Sequence, residues 1–179
     1  MAEVVGSAEL DTSFVGNVVQ VCVVTRDLHR TMAGMVRFGI GPWQVHTFSP
    51  TTVEDMTYRG APAASTVKVA LAFSGTMMWE IVQPIDGPSI YDEFLEHHGE
   101  GVHHVAVDCN GVEWDARLRE FAEHGYDVIQ SGRWQGRAPY AYFATEGDLS
   151  TTVETFVIPE DFPMPEPDEW FPAAPPAGG

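Results

Sequence analysis

The chain has 179 residues, of which 44% are hydrophobic and 20% charged, a composition typical of one globular domain or of two small halves that share a core. Acidic residues outnumber basic ones by 26 to 9, so the net charge at pH 7 is −17. A field of this sign repels nucleic acid and anionic membrane surfaces, and we exclude both as partners.

The sequence shows neither an export signal nor an apolar run near the length of about 20 residues that spans a bilayer. Its two cysteines, Cys22 and Cys109, fall in apparent strands. Two buried thiols without an export signal are typical of a reducing compartment. We therefore expect a cytoplasmic protein with both thiols reduced.

Residues 15–84 predict a first module of one strand, one helix and three further strands. Residues 1–14, before it, predict a flexible leader. A β-branched run opens the module, and Thr25 or Asp27 is the expected N-cap of a helix that Gly39 ends. The strands of this module are predicted over 17–24, 43–49, 65–74 and 77–84, with a loop through Pro62 between the second and the third.

Residues 101–159 repeat the same order after a linker over 85–100. In the linker, Ser89 and Asp92 have the spacing of a capping box, which predicts a short helix. The second module is predicted to contain a strand over 101–109, a helix over 112–125 and strands over 126–134, 138–145 and 149–159. Residues 160–179 are proline-rich and acidic, and predict an extended or disordered tail that contributes little to the core. The alternative is that Trp170 and Phe171 dock on the surface of the domain.

The two first strands align best when residue 104 is placed on residue 20, because valines then match on both sides. This register makes His104 the counterpart of Gln20. Neighbouring side chains of a strand point to opposite faces. We therefore expect His104 to face the interior beside Gln20, and His103 to face the helix-covered side.

Each module also carries one acid in an apolar final strand, Glu80 in "MMWEIVQP" and Glu154 in "TTVETFV". A buried carboxylate is costly unless it is paired or bound to a metal. Together with Gln20 and His104, these acids suit one divalent ion of zinc, cobalt, nickel, manganese or magnesium. Any one of them alone is more typical of a hydrogen-bonded or solvated residue, and their equivalent positions favour the metal site.

The segments "VVQVCVVTRDLHRTM", "MMWEIVQP", "GEGVHHVAVDC" and "TTVETF" resemble the vicinal oxygen chelate superfamily, which includes glyoxalase I and methylmalonyl-CoA epimerase. The resemblance covers about residues 15–160. It implies an α+β fold in which two βαβββ modules form a curved mixed sheet, a cup around one metal ion. The implied ligands, from the first and last strand of each module, are Gln20, Glu80, His104 and Glu154.

The same resemblance implies an isomerase, an epimerase or a glyoxalase-like lyase that removes a proton α to a carbonyl through a metal-stabilised enolate. Glu154 is the expected base and Glu80 the second choice. The expected substrate is a small carbonyl compound or an acyl thioester, and a homodimer is an open alternative to a monomer. Candidate substrate-binding residues are Lys68, Tyr140 and Tyr142.

Two departures from the epimerase pattern bear on this expectation. Epimerases usually have histidine in place of Gln20, whereas zinc-type glyoxalase I has glutamine there. Epimerases also carry a second catalytic carboxylate where this chain has Ala63, Ala64 and Ser65, so Glu54 in the preceding loop is the candidate substitute. The alternative function is that of a non-catalytic protein which binds and sequesters a small molecule on the same fold.

Overall fold

A computed structural model describes residues 14–175, so the expected leader lies outside the described residues except for Phe14. Over this range no helix is long and apolar enough to cross a membrane. The helices are α1 (Leu28–Arg37), α2 (Ile90–His97), α3 (Trp114–Glu123) and α4 (Glu146–Leu149). The strands are β1 (Val18–Val24), β2 (Trp43–Phe48), β3 (Val53–Tyr58), β4 (Ala61–Pro62), β5 (Thr66–Ser74), β6 (Met77–Asp86), β7 (Gly101–Val107), β8 (Val128–Trp134), β9 (Ala138–Phe143), β10 (Thr152–Phe156) and β11 (Glu169–Phe171).

All these strands form one mixed sheet in the order β11-β2-β5-β6-β1-β7-β10-β9-β8-β3-β4. In each module the first strand pairs in parallel with the last, β1 with β6 and β7 with β10. An antiparallel pairing of β1 with β7 joins the modules. The predicted duplication and the fold class are thus confirmed.

The sheet curls into a half-barrel, as contacts between side chains on distant strands show. Phe48 on β2 stacks on Trp134 on β8, with ring centroids 4.8 Å apart, although six strands lie between them in the sheet. Helix α1 packs Leu28 and Met32 on one face of the first module. The opposite face of the sheet is the concave wall of the cup.

The helix boundaries follow from the capping residues. The side chain of Asp27 accepts from the backbone N–H of Arg30 at 3.0 Å and begins α1. The side chain of Ser89 accepts from the backbone N–H of Asp92 and begins α2, as the capping-box spacing predicted. Gly39 follows α1 with φ +95°, a conformation that glycine adopts without strain.

The loop expected between residues 50 and 64 contains β3 and β4, and this expectation is corrected. Strand β3 pairs with β8 and therefore extends the sheet of the second module. Its pairing is interrupted between Glu54 and Thr57, where Asp55 has φ +53°. One segment of the first module thus crosses to the second.

The expectation that the tail contributes little to the core is wrong. Phe162 is only 8% exposed and packs on Trp134 in a cluster with Val53 and Ala138. Strand β11 then pairs antiparallel with β2. The tail therefore returns from the second module to the first, whereas β3 extends from the first module to the second.

Candidate metal centre at the base of the cup

The four predicted ligands lie on four adjacent strands at the centre of the sheet. Gln20 is on β1, Glu80 on β6, His104 on β7 and Glu154 on β10. Their exposed fractions are 2%, 8%, 0% and 4%. The structure brings all four together at the base of the cup.

Their polar atoms converge on one ring nitrogen. His104 Nε2 lies 3.1 Å from Glu154 Oε2, 3.2 Å from Glu80 Oε2 and 3.4 Å from Gln20 Nε2. Gln20 Nε2 also donates to Glu154 Oε2 at 3.3 Å. A neutral or protonated imidazole carries at most one hydrogen on Nε2, so it cannot satisfy both carboxylates.

Glu80 shows the consequence of this shortage of donors. Its Oε2 atom is buried and, despite lying near His104, forms no hydrogen bond of acceptable geometry. An unpaired carboxylate oxygen in such a place is costly. Rotation of the Gln20 amide group by 180° would present its oxygen instead of its nitrogen to the centre. The donor set would then be two carboxylates, one imidazole and one amide oxygen, which suits a divalent cation.

His103 forms a hydrogen bond with the Nδ1 atom of His104. Their Nδ1 atoms lie 2.8 Å apart, so one ring donates and the other accepts. When a neutral His104 donates from Nδ1, as it would when Nε2 binds a metal, Nε2 presents its lone pair to the cup. His103 itself packs against Tyr91 and Phe94 of α2, with ring centroids 5.3 Å and 5.0 Å away. The β1–β7 register shifts at this point and skips His103, so both histidine rings lie against Tyr91, and the expected alternation of the two side chains is corrected.

Burial and charge set the protonation of this cluster. Burial lowers the pKa of His104, but the nearby carboxylates of Glu154 and Glu80 outweigh it and raise the pKa to about 9. Burial lowers the pKa of His103 well below its usual value, and the charge of His104 adds to this. Burial raises the pKa of Glu154, against the opposing bond to His104.

Cys22 is a neighbour of the centre that sequence reasoning did not place there. It lies opposite His104 in the β1–β7 register, and its Sγ is within 4.8 Å of ligand atoms of Glu80 and His104. Burial, followed by the charge of Glu80, raises the pKa of its thiol well above the usual value. The spacing of two residues from Gln20, which puts both on one face of β1, is the signal that identifies it.

A cavity of about 520 Å³ lies above the centre, and the candidate substrate-binding residues Tyr140 and Tyr142 are among those that line it. Burial raises the pKa of both phenols, which therefore stay neutral hydrogen-bond donors. The hydroxyl of Tyr91 donates to that of Tyr142 at 2.7 Å. Gly132 leaves room for Tyr140, since a Cβ there would lie 2.5 Å from the Tyr140 hydroxyl oxygen.

Two other predicted residues do not reach the cavity. Val67 and Val69 line it, so Lys68 between them lies on the opposite face of β5. Glu54 is exposed on β3 beside Gly136, and it does not contribute to the cavity wall. Neither Lys68, a candidate for substrate binding, nor Glu54, the candidate second base, therefore lies on the cavity wall.

Residues 19–144 match the Glyoxalase/Bleomycin resistance protein/Dioxygenase superfamily. The chain belongs to this superfamily. Among solved structures of the fold, methylmalonyl-CoA epimerase from Mycobacterium tuberculosis is 18% identical, with a TM-score of 0.59, over 82% of this chain and 91% of that one.

A Streptomyces coelicolor methylmalonyl-CoA epimerase variant in complex with 2-nitronate-propionyl-CoA is 16% identical, with a TM-score of 0.58, over 79% of this chain and 94% of that one. A hypothetical protein from Bacillus halodurans C-125 is 18% identical, with a TM-score of 0.58, over 80% and 95%. No curated protein matches the sequence. Structural matches at identities this low show a shared fold and leave the activity to be argued from the site.

Proposed function

We propose that this protein is a metal-dependent enzyme that removes a proton α to the carbonyl group of a small molecule, as an isomerase, an epimerase or a glyoxalase-like lyase. The observation that carries the proposal is the convergence of Gln20, Glu80 and Glu154 on His104 Nε2, with Glu80 Oε2 buried and without a hydrogen bond.

These four residues would hold one divalent ion. A bound ion of this kind supplies Lewis acidity, which polarises a carbonyl oxygen and stabilises negative charge that develops on it. His103 would hold the ring of His104 in the tautomer that leaves Nε2 free. The neutral phenols of Tyr140 and Tyr142 would donate hydrogen bonds to oxygen atoms of the substrate.

Glu154 is the base in this proposal. Its carboxylate is 4% exposed and lines the cavity, and burial raises its pKa, which makes it a better proton acceptor near neutral pH. The proton would pass from the α-carbon to Glu154 and then return to the substrate. Of the described residues that line the cavity, only Glu80 carries another carboxylate, so Glu80 is the second choice.

The test combines metal analysis with proton exchange. The protein, purified without chelator, should contain one divalent ion per chain. In deuterium oxide the loaded protein should exchange the α-proton of at least one member of a panel of α-hydroxycarbonyl compounds and 2-substituted acyl thioesters. A chain that binds no divalent ion would contradict the metal centre, and a loaded chain without exchange on the whole panel would contradict the chemistry.

The second candidate function is sequestration of a small molecule without turnover. The apolar wall of the cavity favours it, since binding alone needs no base. Sequestration predicts a tight complex whose α-proton does not exchange in the loaded protein. Catalysis predicts exchange, and that exchange should depend on Glu154.

A further inference from the structure

Above its polar base, the wall of the cavity is mostly apolar up to the mouth. Above the four site residues, aliphatic and aromatic side chains form most of its surface. Three of them, Phe73, Ile158 and Met164, are also exposed by 57%, 43% and 51%. Apolar side chains that line a cavity mouth and face water mark a site that an apolar body covers.

Within the described range 14–175, no lysine or arginine lines the wall of this cavity. All nine lysine and arginine residues of the chain lie within that range. Lys68 lies on the other face of β5. Five arginines are paired with carboxylates elsewhere, as Arg30–Glu100, Arg59–Glu93, Arg117–Glu120, Arg133–Asp55 and Arg137–Asp161.

The charged side chains on the wall are Glu80 and Glu154 at its base, whose charges a bound divalent ion would offset, so the base offers no surplus positive charge to an anion elsewhere on the ligand. Burial of an anionic group without a partner is strongly unfavourable, and the net charge of −17 adds long-range repulsion. The uncharged polar groups on the wall, such as the amides of Gln44 and Gln130, compensate an anion only weakly.

Aromatic rings make up one side of the wall. Phe48, Trp134, Tyr140 and Phe156 line the cavity, and the ring of Phe48 stacks on that of Trp134. Ring edges and faces in this arrangement are good partners for an aromatic ligand. The volume of about 520 Å³ exceeds that of a single ring and a two-oxygen head group.

From these observations we infer that the site takes carbonyl compounds with an uncharged apolar body, preferably aromatic, and rejects acyl-coenzyme A thioesters and other anionic substrates. The inference rests on the proposed function for the head group at the base. The part of the ligand beyond the head group contacts the apolar wall, and this contact does not depend on the metal.

A series of probes with one head group tests this selectivity. Benzohydroxamic, acetohydroxamic and 4-carboxybenzohydroxamic acids all present two neighbouring oxygens, and their affinities for the zinc-loaded full chain are measured by calorimetry. Benzohydroxamic acid should bind at least about tenfold more tightly than either of the others, because its ring is buried and carries no charge. Equal affinity of the 4-carboxy compound, or tighter binding of propionyl-CoA, would overturn the inference.

Two arginine variants provide a matched comparison. Phe73→Arg puts a cation at the mouth of the cavity, whereas Phe38→Arg puts the same charge at the end of α1, where Phe38 is 80% exposed and does not line the cavity. Phe73→Arg should strengthen binding of 4-carboxybenzohydroxamic acid about tenfold, and Phe38→Arg should leave it unchanged. If both variants change the affinity for 4-carboxybenzohydroxamic acid equally, the added charge does not act through the cavity, and the inference is contradicted.

Equilibrium dialysis of the metal-free chain with 2-naphthol and 2-naphthoate separates this inference from the proposed function. Preference for 2-naphthol supports the selectivity of the wall even where the loaded chain exchanges no α-proton. Preference for 2-naphthoate refutes the selectivity even where exchange is observed.

Discussion

Substitution of Phe162 by alanine tests whether the C-terminal tail is part of the folded core. The ring is 8% exposed and lies against Trp134, with centroids 5.3 Å apart. Loss of a buried phenylalanine side chain costs about 3 to 5 kcal/mol. Because the tail can lift away instead of leaving a cavity, we expect the lower end of this range, about 3 kcal/mol, and a melting temperature lowered by roughly 10 °C.

Urea unfolding followed by circular dichroism measures this loss, with Phe38→Ala as the matched control. Phe38 is 80% exposed, so its removal should change the free energy of unfolding by less than about 0.5 kcal/mol. Truncation after Glu160 removes β11 as well and should destabilise at least as strongly as Phe162→Ala. If Phe162→Ala unfolds like the Phe38→Ala control, the tail does not stabilise the domain.

Three further predictions concern the ion pair between Glu100 of the linker and Arg30 of α1, the metal centre, and the outer face of β5. The bonds of Glu100 to Arg30 and to two neighbouring groups lower its pKa to about 2, so its stabilising effect is present above its usual pKa of 4.5 and is lost as pH falls toward 2. Glu100→Gln should therefore lower the free energy of unfolding by about 1 kcal/mol at pH 7 and by progressively less below pH 4, as followed by urea unfolding; an equal difference at pH 3 and pH 7 would contradict this. In a chelator competition with zinc, His104→Ala should abolish binding of the ion, whereas His103→Ala should retain it with about 10- to 100-fold lower affinity, and the reverse order would show that the register is wrong. Lys68→Met should leave the affinity for benzohydroxamic acid unchanged within about twofold, and a larger loss would place Lys68 at the ligand.

Local patterns in the sequence were enough to predict much of the fold. The β-branched runs gave the strands, and Asp27 and Ser89 marked helix starts because their side chains accept from backbone N–H groups. The placement of the candidate ligands on adjacent strands was predictable because the modules are duplicated. Alignment of the two modules placed Gln20 and His104 on one face, and the structure brings them within 3.4 Å.

The parts that were not predicted depend on pairing between distant segments. Strand β3 carries Glu54 and Asp55 and is interrupted by a left-handed residue, so its sequence lacks the alternation of a strand. Its partner β8 lies in the other module. The tail likewise gains its order from β2 and Trp134 rather than from its own proline-rich sequence.

The most direct test of the central claim is α-proton exchange by the Glu154→Gln variant, measured in deuterium oxide and normalised to the metal that the variant binds. Glu160→Gln is the matched control, because Glu160 is exposed on the same segment of the chain. We expect exchange by Glu154→Gln to fall by a factor of about 100 to 10,000, as for the loss of a general base, with no change in Glu160→Gln. Undiminished exchange in metal-loaded Glu154→Gln would contradict the assignment of Glu154 as the base.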